Sequence, residues 1–153
     1  MKQFEANITW HRGAQPFTDN RYSRAHEWQF DGGLRLPASS SPLSVPLPMS
    51  DASALDPEEA LVAAVSSCHM LFFLSLAAQR GLVVDQYLDK AVGTMDRNAR
   101  GKMAMTRIVL RPSIAFAGQQ PSSEALAAIH HDAHDKCYIA NSIMADVVIE
   151  GAS

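Results

Sequence analysis

Two cysteines, Cys68 and Cys137, are the residues of this sequence best suited to redox chemistry. A thiolate can attack a peroxide, and two neighbouring thiols can close into a disulfide. A buried cysteine with no cation or donor beside it is instead inert, because burial disfavours the thiolate. A chain of 153 residues needs no disulfide framework, so the two cysteines are either core residues or a working pair.

Helical spacing places both thiols on inward faces. Cys137 follows Leu126, Ile129 and Ala133 at helical intervals, which puts it at the inner edge of a helix end. Spacing alone leaves open whether the thiols reach the ~5.5–6 Å Cα separation of a disulfide. Cys68 on its own is most simply a packed core residue. Its neighbours three, four and seven positions away are Leu61, Ala64, Val65, Leu71, Phe72 and Ser75.

Arg24 and Glu58 are candidates to supply the charge that a reactive thiol needs. Each also has a simple structural explanation, as a solvated surface charge and as a first-turn helix residue. If they paired, the carboxylate would hold the guanidinium over a thiol. Glu58 and Cys68 would stand ~15 Å apart on one straight helix. A bridging arginine, a break in the helix or a partner chain is therefore needed to connect them.

The histidines before Cys137 offer a weaker alternative. His131, His134 and Cys137 stand three residues apart, as in some zinc sites. Steps of three residues spread by ~60° around a helix, however, and no second ligand pair is evident. We therefore interpret His130, His131 and His134 as a solvated helix face.

Periodicity and turn residues predict the elements that must position these side chains. Asp56-Pro57-Glu58 is typical of a helix start, and Gly81 of a helix end. The proline- and serine-rich residues 37–56 predict an extended loop. The predicted elements are strands at residues 2–10, 25–30 and 34–36, a helix from 56 to about 80, strands at 83–94 and 103–116, a helix from 121 to about 136, and a strand at 143–150.

This order predicts one α+β domain, residues 1–153, with largely antiparallel pairing. The apolar residues 60–78 are interrupted by polar side chains, which favours a buried helix over a membrane span. The helix is apolar nearly all round, so we expect a partner subunit to cover part of it. The net charge of −3, with scattered basic residues, disfavours a nucleic-acid partner. No signal peptide is evident, and we expect a cytoplasmic location.

Two segments resemble the OsmC/Ohr family of osmotically inducible and organic hydroperoxide resistance proteins. Residues 56–61 (DPEEAL) with 63–69 (AAVSSCH) resemble the family's first-cysteine helix, and residues 133–142 its second-cysteine segment. Element order and length also agree. The resemblance implies an OsmC-like fold of order β-β-β-α-β-β-α-β, with antiparallel sheets around a long central helix, in an intertwined homodimer with its sites at the subunit interface.

The resemblance also implies a thiol-dependent peroxidase that reduces organic hydroperoxides. By position, Cys68 would attack the peroxide and Cys137 would resolve the product. Arg24 would activate Cys68, with Arg21 as the alternative, and Glu58 would orient the arginine. The implied turnover uses no bound cofactor or metal, only an external dithiol reductant.

His69 and residues 23–26 (SRAH) are more similar to the OsmC-like branch than to the peroxidase branch. The alternative is therefore an OsmC-like ligand- or metal-binding stress protein without peroxidase activity. The loop at residues 37–56 is a candidate cover for the site in either case.

Overall fold

The computed structural model describes residues 1–151, which form two compact units, Met1–Ala60 and the residues from Leu61 onward. Residues 152 and 153, the last two of the predicted domain, lie outside the described residues. Two helices and mostly antiparallel sheets make the chain α+β, so the predicted fold class is confirmed.

The first unit contains a three-stranded antiparallel sheet. Its strands are β1 (Ala6–Thr9), β2 (His26–Phe30) and β3 (Arg35–Ala38), paired in that order. The predicted hairpin turn joins β2 to β3, where Gly33 has a φ of +86° that favours glycine. β1 is shorter than predicted.

The segment between β3 and the first helix is not the extended loop that its composition predicts. Its two ends meet, since Leu55 N donates to Pro37 O (3.1 Å) and Ser39 N donates to Leu55 O (3.0 Å). The Ser39 hydroxyl accepts from Asp51 N (3.0 Å). Serine side chains and strand-end carbonyls thus satisfy backbone amides that an extended loop would leave to water.

Helix α1 (Pro57–Gln79) begins and ends where predicted. Asp56 Oδ1 accepts from Glu59 N (2.7 Å) and so caps the first turn. Gly81 follows the last turn with a φ of +74°, which ends the helix.

The described part of the second unit has five strands, whereas the sequence predicts three. The predicted strands at 83–94 and 103–116 are each two strands, because each changes partner, at Lys90-Ala91 and at Arg111. The elements are β4 (Val83–Asp89), β5 (Val92–Arg97), β6 (Met103–Leu110), β7 (Pro112–Ala117), α2 (Ser123–Lys136), a 3₁₀ turn (Ala140–Ser142) and β8 (Asp146–Ile149).

These strands form two sheets. β4 pairs with β7, and the other sheet has the order β5-β6-β8. All pairs are antiparallel except β6 with β8, which is parallel because α2 crosses between them.

The part of α1 from Leu61 onward packs against two hydrophobic clusters. Near its start, Val65 contacts Ile108 and Leu110 of β6, with β8 side chains around them. Near its end, α1 packs against α2, β4 and β7 through Phe73, Leu76 and Ala77, with Leu126, Ile129, Ala133 and Phe116 opposite. Cys68 and His69 lie where one cluster gives way to the other.

One face of α1 is open in the single chain, and it is the face that we expect a partner subunit to cover. Ala63, Ala64 and Ser67 are exposed in the single chain, and Leu71 is 61% exposed. By length and composition alone, α1 could cross a membrane. Its buried apolar side chains belong to the two core clusters, as expected for a core helix.

Candidate functional site

The two cysteines lie beside each other in the second unit. Cys68 is half-buried on α1, and Cys137 is 1% exposed at the end of α2. Within residues 1–151 both thiols are free. Burial, together with the neighbouring Cys68 thiol, raises the pKa of the Cys137 thiol to about 11, although the Ala140 amide, which donates to its sulfur (3.4 Å), acts in the opposite direction. Cys137 is therefore protonated at neutral pH.

Cys137 is held in place by the backbone on both sides. The Ser122 hydroxyl accepts from Ala125 N (3.2 Å) and starts α2, and the helix ends where Cys137 becomes extended. Cys137 N then donates to His134 O (3.1 Å), and Cys137 O accepts from Asn141 N (3.0 Å). These bonds fix the thiol in a tight turn between α2 and the 3₁₀ turn.

A buried pair of histidines joins the same two helices. His69 Nε2 and His130 Nδ1 are 3.0 Å apart, and the residues are 1% and 3% exposed. The ring planes are 3° apart with centroids at 5.3 Å, so the imidazoles meet edge to edge in one plane. The predicted solvated face is thus wrong for His130, although His131 is exposed. His130 lies one turn before Ala133 of the inner stripe, a signal that the predicted face overlooked.

The histidine pair is neutral at pH 7. Burial is the main cause that lowers the pKa of each imidazole to about 4, and for His69 the nearby His130 and His134 contribute to this lowering. Asp89 acts in the opposite direction on His130. Burial and Asp89 together raise the pKa of Tyr87, which therefore stays protonated.

Arg24 is held within the first unit, in the turn before β2. Its guanidinium donates to Tyr22 O, Asn20 O (3.0 Å) and Asn20 Oδ1 (2.7 Å), and it lies 3.8 Å from the Tyr22 ring centroid. Its backbone amide donates to Met49 O (2.7 Å) of the segment that follows β3. Arg21 is exposed.

Glu58 is half-buried in the first turn of α1. Among the ion pairs of residues 1–151, none joins it to Arg24. α1 is continuous, so a break in the helix between Glu58 and Cys68 is excluded. The structure thus brings Cys68 and Cys137 together but does not pair Arg24 with Glu58, whose roles stay predictions.

His131, His134 and Cys137 do not assemble into a metal site. No group of three histidine, cysteine or carboxylate side chains in the described part of the chain is arranged to hold a metal ion. A surface cavity of about 620 Å³ opens in the second unit beside Arg100 and Met144. Its lining, as far as the structure describes it, includes neither cysteine.

The sequence pattern of OsmC-like proteins matches residues 50–151 of this chain. No curated protein matched the sequence. An OsmC-like protein of unknown function from Vibrio cholerae is 50% identical, with a TM-score of 0.96 over 98% of this chain and 99% of that one.

Two hydroperoxide resistance proteins share the fold at low identity. The protein from Elizabethkingia anophelis, solved with thiocyanate bound, is 14% identical, with a TM-score of 0.70 over 97% of this chain and 96% of its own. OhrB of Bacillus subtilis is also 14% identical, with a TM-score of 0.66 over 97% of both chains. The family match and the Vibrio relative carry the conclusion that this chain belongs to the OsmC-like protein family.

Proposed function

We propose that the protein is a thiol-dependent peroxidase that reduces organic hydroperoxides. The observation that carries the proposal is the meeting of Cys68 on α1 with Cys137 at the end of α2. Two neighbouring free thiols are what a two-cysteine peroxidase needs. Membership of a family that includes proteins named for hydroperoxide resistance adds support.

The different surroundings of the two thiols support different roles for them in this proposal. Cys68 is partly exposed, so a substrate can reach it. Cys137 is buried and protonated, which makes it a poor first nucleophile. Cys68 is therefore the attacking thiol and Cys137 the resolving thiol.

The chemistry balances with these two residues and an external dithiol. The Cys68 thiolate attacks the outer oxygen of ROOH, the O–O bond breaks, and the alkoxide takes a proton to leave as ROH. Cys68 becomes a sulfenic acid, which condenses with the Cys137 thiol to a disulfide and releases water. A dithiol then supplies two electrons and two protons and restores both cysteines.

The remaining features of the resemblance belong to this proposal. Arg24, or Arg21, stabilises the Cys68 thiolate, and Glu58 orients the arginine, within a homodimer in the cytoplasm. The apolar positions around Cys68 favour an organic or lipid-like peroxide over hydrogen peroxide. The segment at residues 37–56, whose Met49 carbonyl already holds the Arg24 amide, is the proposed cover of the site.

Thiol titration before and after one equivalent of cumene hydroperoxide tests the proposal. We expect rapid loss of both thiols in the native protein and no loss in Cys68→Ala. Cys137→Ser should still consume one equivalent of peroxide but stop at a sulfenic acid, which dimedone traps. Survival of both native thiols would reject peroxidase activity and leave the ligand- or metal-binding alternative, to be examined by metal analysis of the purified protein.

A further inference from the structure

We propose that the His69–His130 hydrogen bond positions the two cysteine-bearing helices, and thereby controls how readily Cys68 and Cys137 close into a disulfide. The proposal rests on the proposed function only in taking that disulfide as the form made during turnover. His69 and His130 are positioning residues here, since neither is proposed to touch the peroxide.

The pair lies where it can couple the two thiols. His69 directly follows Cys68 on α1, and His130 lies seven residues, about two turns, before Cys137 on α2. The 3.0 Å bond is therefore a polar contact between two helices whose thiols meet a short distance away. A shift of α1 along α2 would therefore break the histidine contact and, at the same time, move the two sulfur atoms apart.

The contact is directional in a way that apolar packing is not. A hydrogen bond between two ring nitrogens needs one N–H and one lone pair, and the coplanar, edge-to-edge rings satisfy this. The outer nitrogens, His69 Nδ1 and His130 Nε2, are buried and have no hydrogen-bond partner within residues 1–151. Each ring therefore depends on the other for its one polar contact, and losing either ring leaves a buried nitrogen unsatisfied.

The groups that face the pair act in both directions, because His134 disfavours a charge on His69 whereas Asp89 favours a charge on His130, and burial keeps both rings neutral. His134 faces His69 from α2, and Asp89 of β4 approaches His130, whose ring also contacts Phe73 (centroids 4.5 Å). Asp89 is itself held by the Ser66 hydroxyl (2.5 Å) and the Arg111 amide (2.6 Å). Protons on all four ring nitrogens would place two N–H groups against each other and break the contact.

The test is a glutathione redox titration of the Cys68–Cys137 pair, which needs no peroxide. Glutathione disulfide accepts two electrons and two protons from the two thiols, so the equilibrium gives the effective concentration of one thiol at the other. We expect His130→Leu to lower this concentration by about tenfold or more, because the α1–α2 contact loses its direction. His130→Asn, which keeps a polar atom near the Nδ1 position, should stay within about threefold of the native value.

A second pair of variants keeps the test valid if His130→Leu fails to fold. His69→Gln carries an amide out to the Nε2 position, whereas His69→Asn is too short, so only His69→Asn should show the loss. His131→Leu, a change at an exposed position on the same helix, is the control and should leave the titration unchanged. The proposal would be overturned if the effective concentration were unchanged in both His130→Leu and His69→Asn. It would also be overturned if His130→Asn lowered the effective concentration as much as His130→Leu, and His69→Gln as much as His69→Asn.

The two proposals fail separately. If the native protein leaves cumene hydroperoxide intact while the titration responds to the histidine variants, peroxidase activity is rejected and the positioning role stands. If peroxide is reduced but the histidine variants leave the titration unchanged, the positioning role is rejected and the peroxidase activity stands.

Discussion

Cys68 and Cys137 are alike in chemistry but differ in surroundings. One is half-exposed on a helix, and the other is buried in a turn whose backbone amides contact its sulfur and its neighbours. The burial that protects Cys137 also raises its pKa, so at neutral pH it is a protonated thiol and a weak nucleophile. It is suited to react with the electrophilic sulfenic acid rather than with the peroxide. This difference gives the proposed reaction its direction.

Alkylation checks this difference. A rise in the pKa of Cys137 to about 11 from an ordinary 9.0 lowers its thiolate fraction near pH 8 by about a hundredfold. We therefore expect iodoacetamide to label Cys137 at least about a hundredfold more slowly in native protein than in urea. The labelling rate of the native protein should rise about tenfold per pH unit from pH 8 to 10. Peptide mass mapping measures both rates; equal rates in the two states would contradict the buried setting.

The histidine pair predicts a loss of stability in mild acid. Unfolded histidines bind protons below a pKa of 6.5, whereas His69 and His130 in the folded state do so only near 4. The unfolded state therefore binds more protons between these values, and the free energy of unfolding falls as the pH falls through the window.

We expect a drop of about 2 kcal/mol per histidine between pH 7 and pH 5, from urea unfolding at each pH. The double variant His69→Gln/His130→Asn should lose most of this dependence, and His131→Gln should keep it. A wild-type curve that is flat over this range would contradict the neutral buried pair.

At this scale the sequence is a partial guide. The inward positions of Cys68 and Cys137 follow from helical spacing, and the structure brings the two thiols together as a working pair requires. The sequence pattern misses His130 because three histidines in five residues resemble a polar face, although its phase matches that of Ala133. The contact of His130 with His69 depends on how α1 packs against α2, and the spacing of residues within one helix gives no information about that packing.

The elements are set by local rules in some places and by pairing in others. The start of α1 at Asp56 and its end before Gly81 were predictable, because caps and positive-φ glycines act within a few residues. The breaks at Lys90-Ala91 and Arg111 were not, because each marks a change of partner strand while the local composition stays strand-like.

The cap of α2 should matter to stability. Ser122→Ala removes the hydroxyl that accepts from Ala125 N, and we expect a loss of about 1 kcal/mol in the free energy of unfolding. Ser123→Ala, one residue later at an exposed helical position, should stay within about 0.5 kcal/mol. Denaturant titrations of both variants provide the comparison, and equal losses would rule out the cap as the cause.

Gly93 in β5 marks a close approach between strand and helix. A Cβ there would lie 2.5 Å from Val62 Cγ2 of α1 and 2.6 Å from Met105 Sδ of β6. We expect Gly93→Ala to destabilise the protein by about 1–3 kcal/mol, because a packed contact must open. Gly32→Ala is the matched control, since no described atom lies within 4 Å of its Cβ position and its φ is ordinary; a similar cost at both glycines would contradict this reasoning.

At the scale of the whole molecule, α1 presents an apolar face that the single chain leaves open. Leu71 is 61% exposed at the centre of this face. We expect the protein to self-associate through it, and Leu71→Asp to shift the mass measured by light scattering toward that of one chain. His131→Asp, at an exposed position of α2, should leave the mass unchanged. A wild-type protein with the mass of one chain would contradict the expected homodimer.

The parallel pairing of β6 with β8 has a consequence for synthesis on the ribosome. The sheet β1-β2-β3 is complete before α1 is translated, so the first unit can begin to fold early. The sheet β5-β6-β8 can be completed only after β8 has been synthesised, and β8 follows α2 in the chain. Until Asp146–Ile149 emerges, one edge of β6 has no partner strand and remains open to pairing with another nascent chain. We therefore expect the chain to be most prone to pairing with another copy of itself during synthesis, before β8 has emerged.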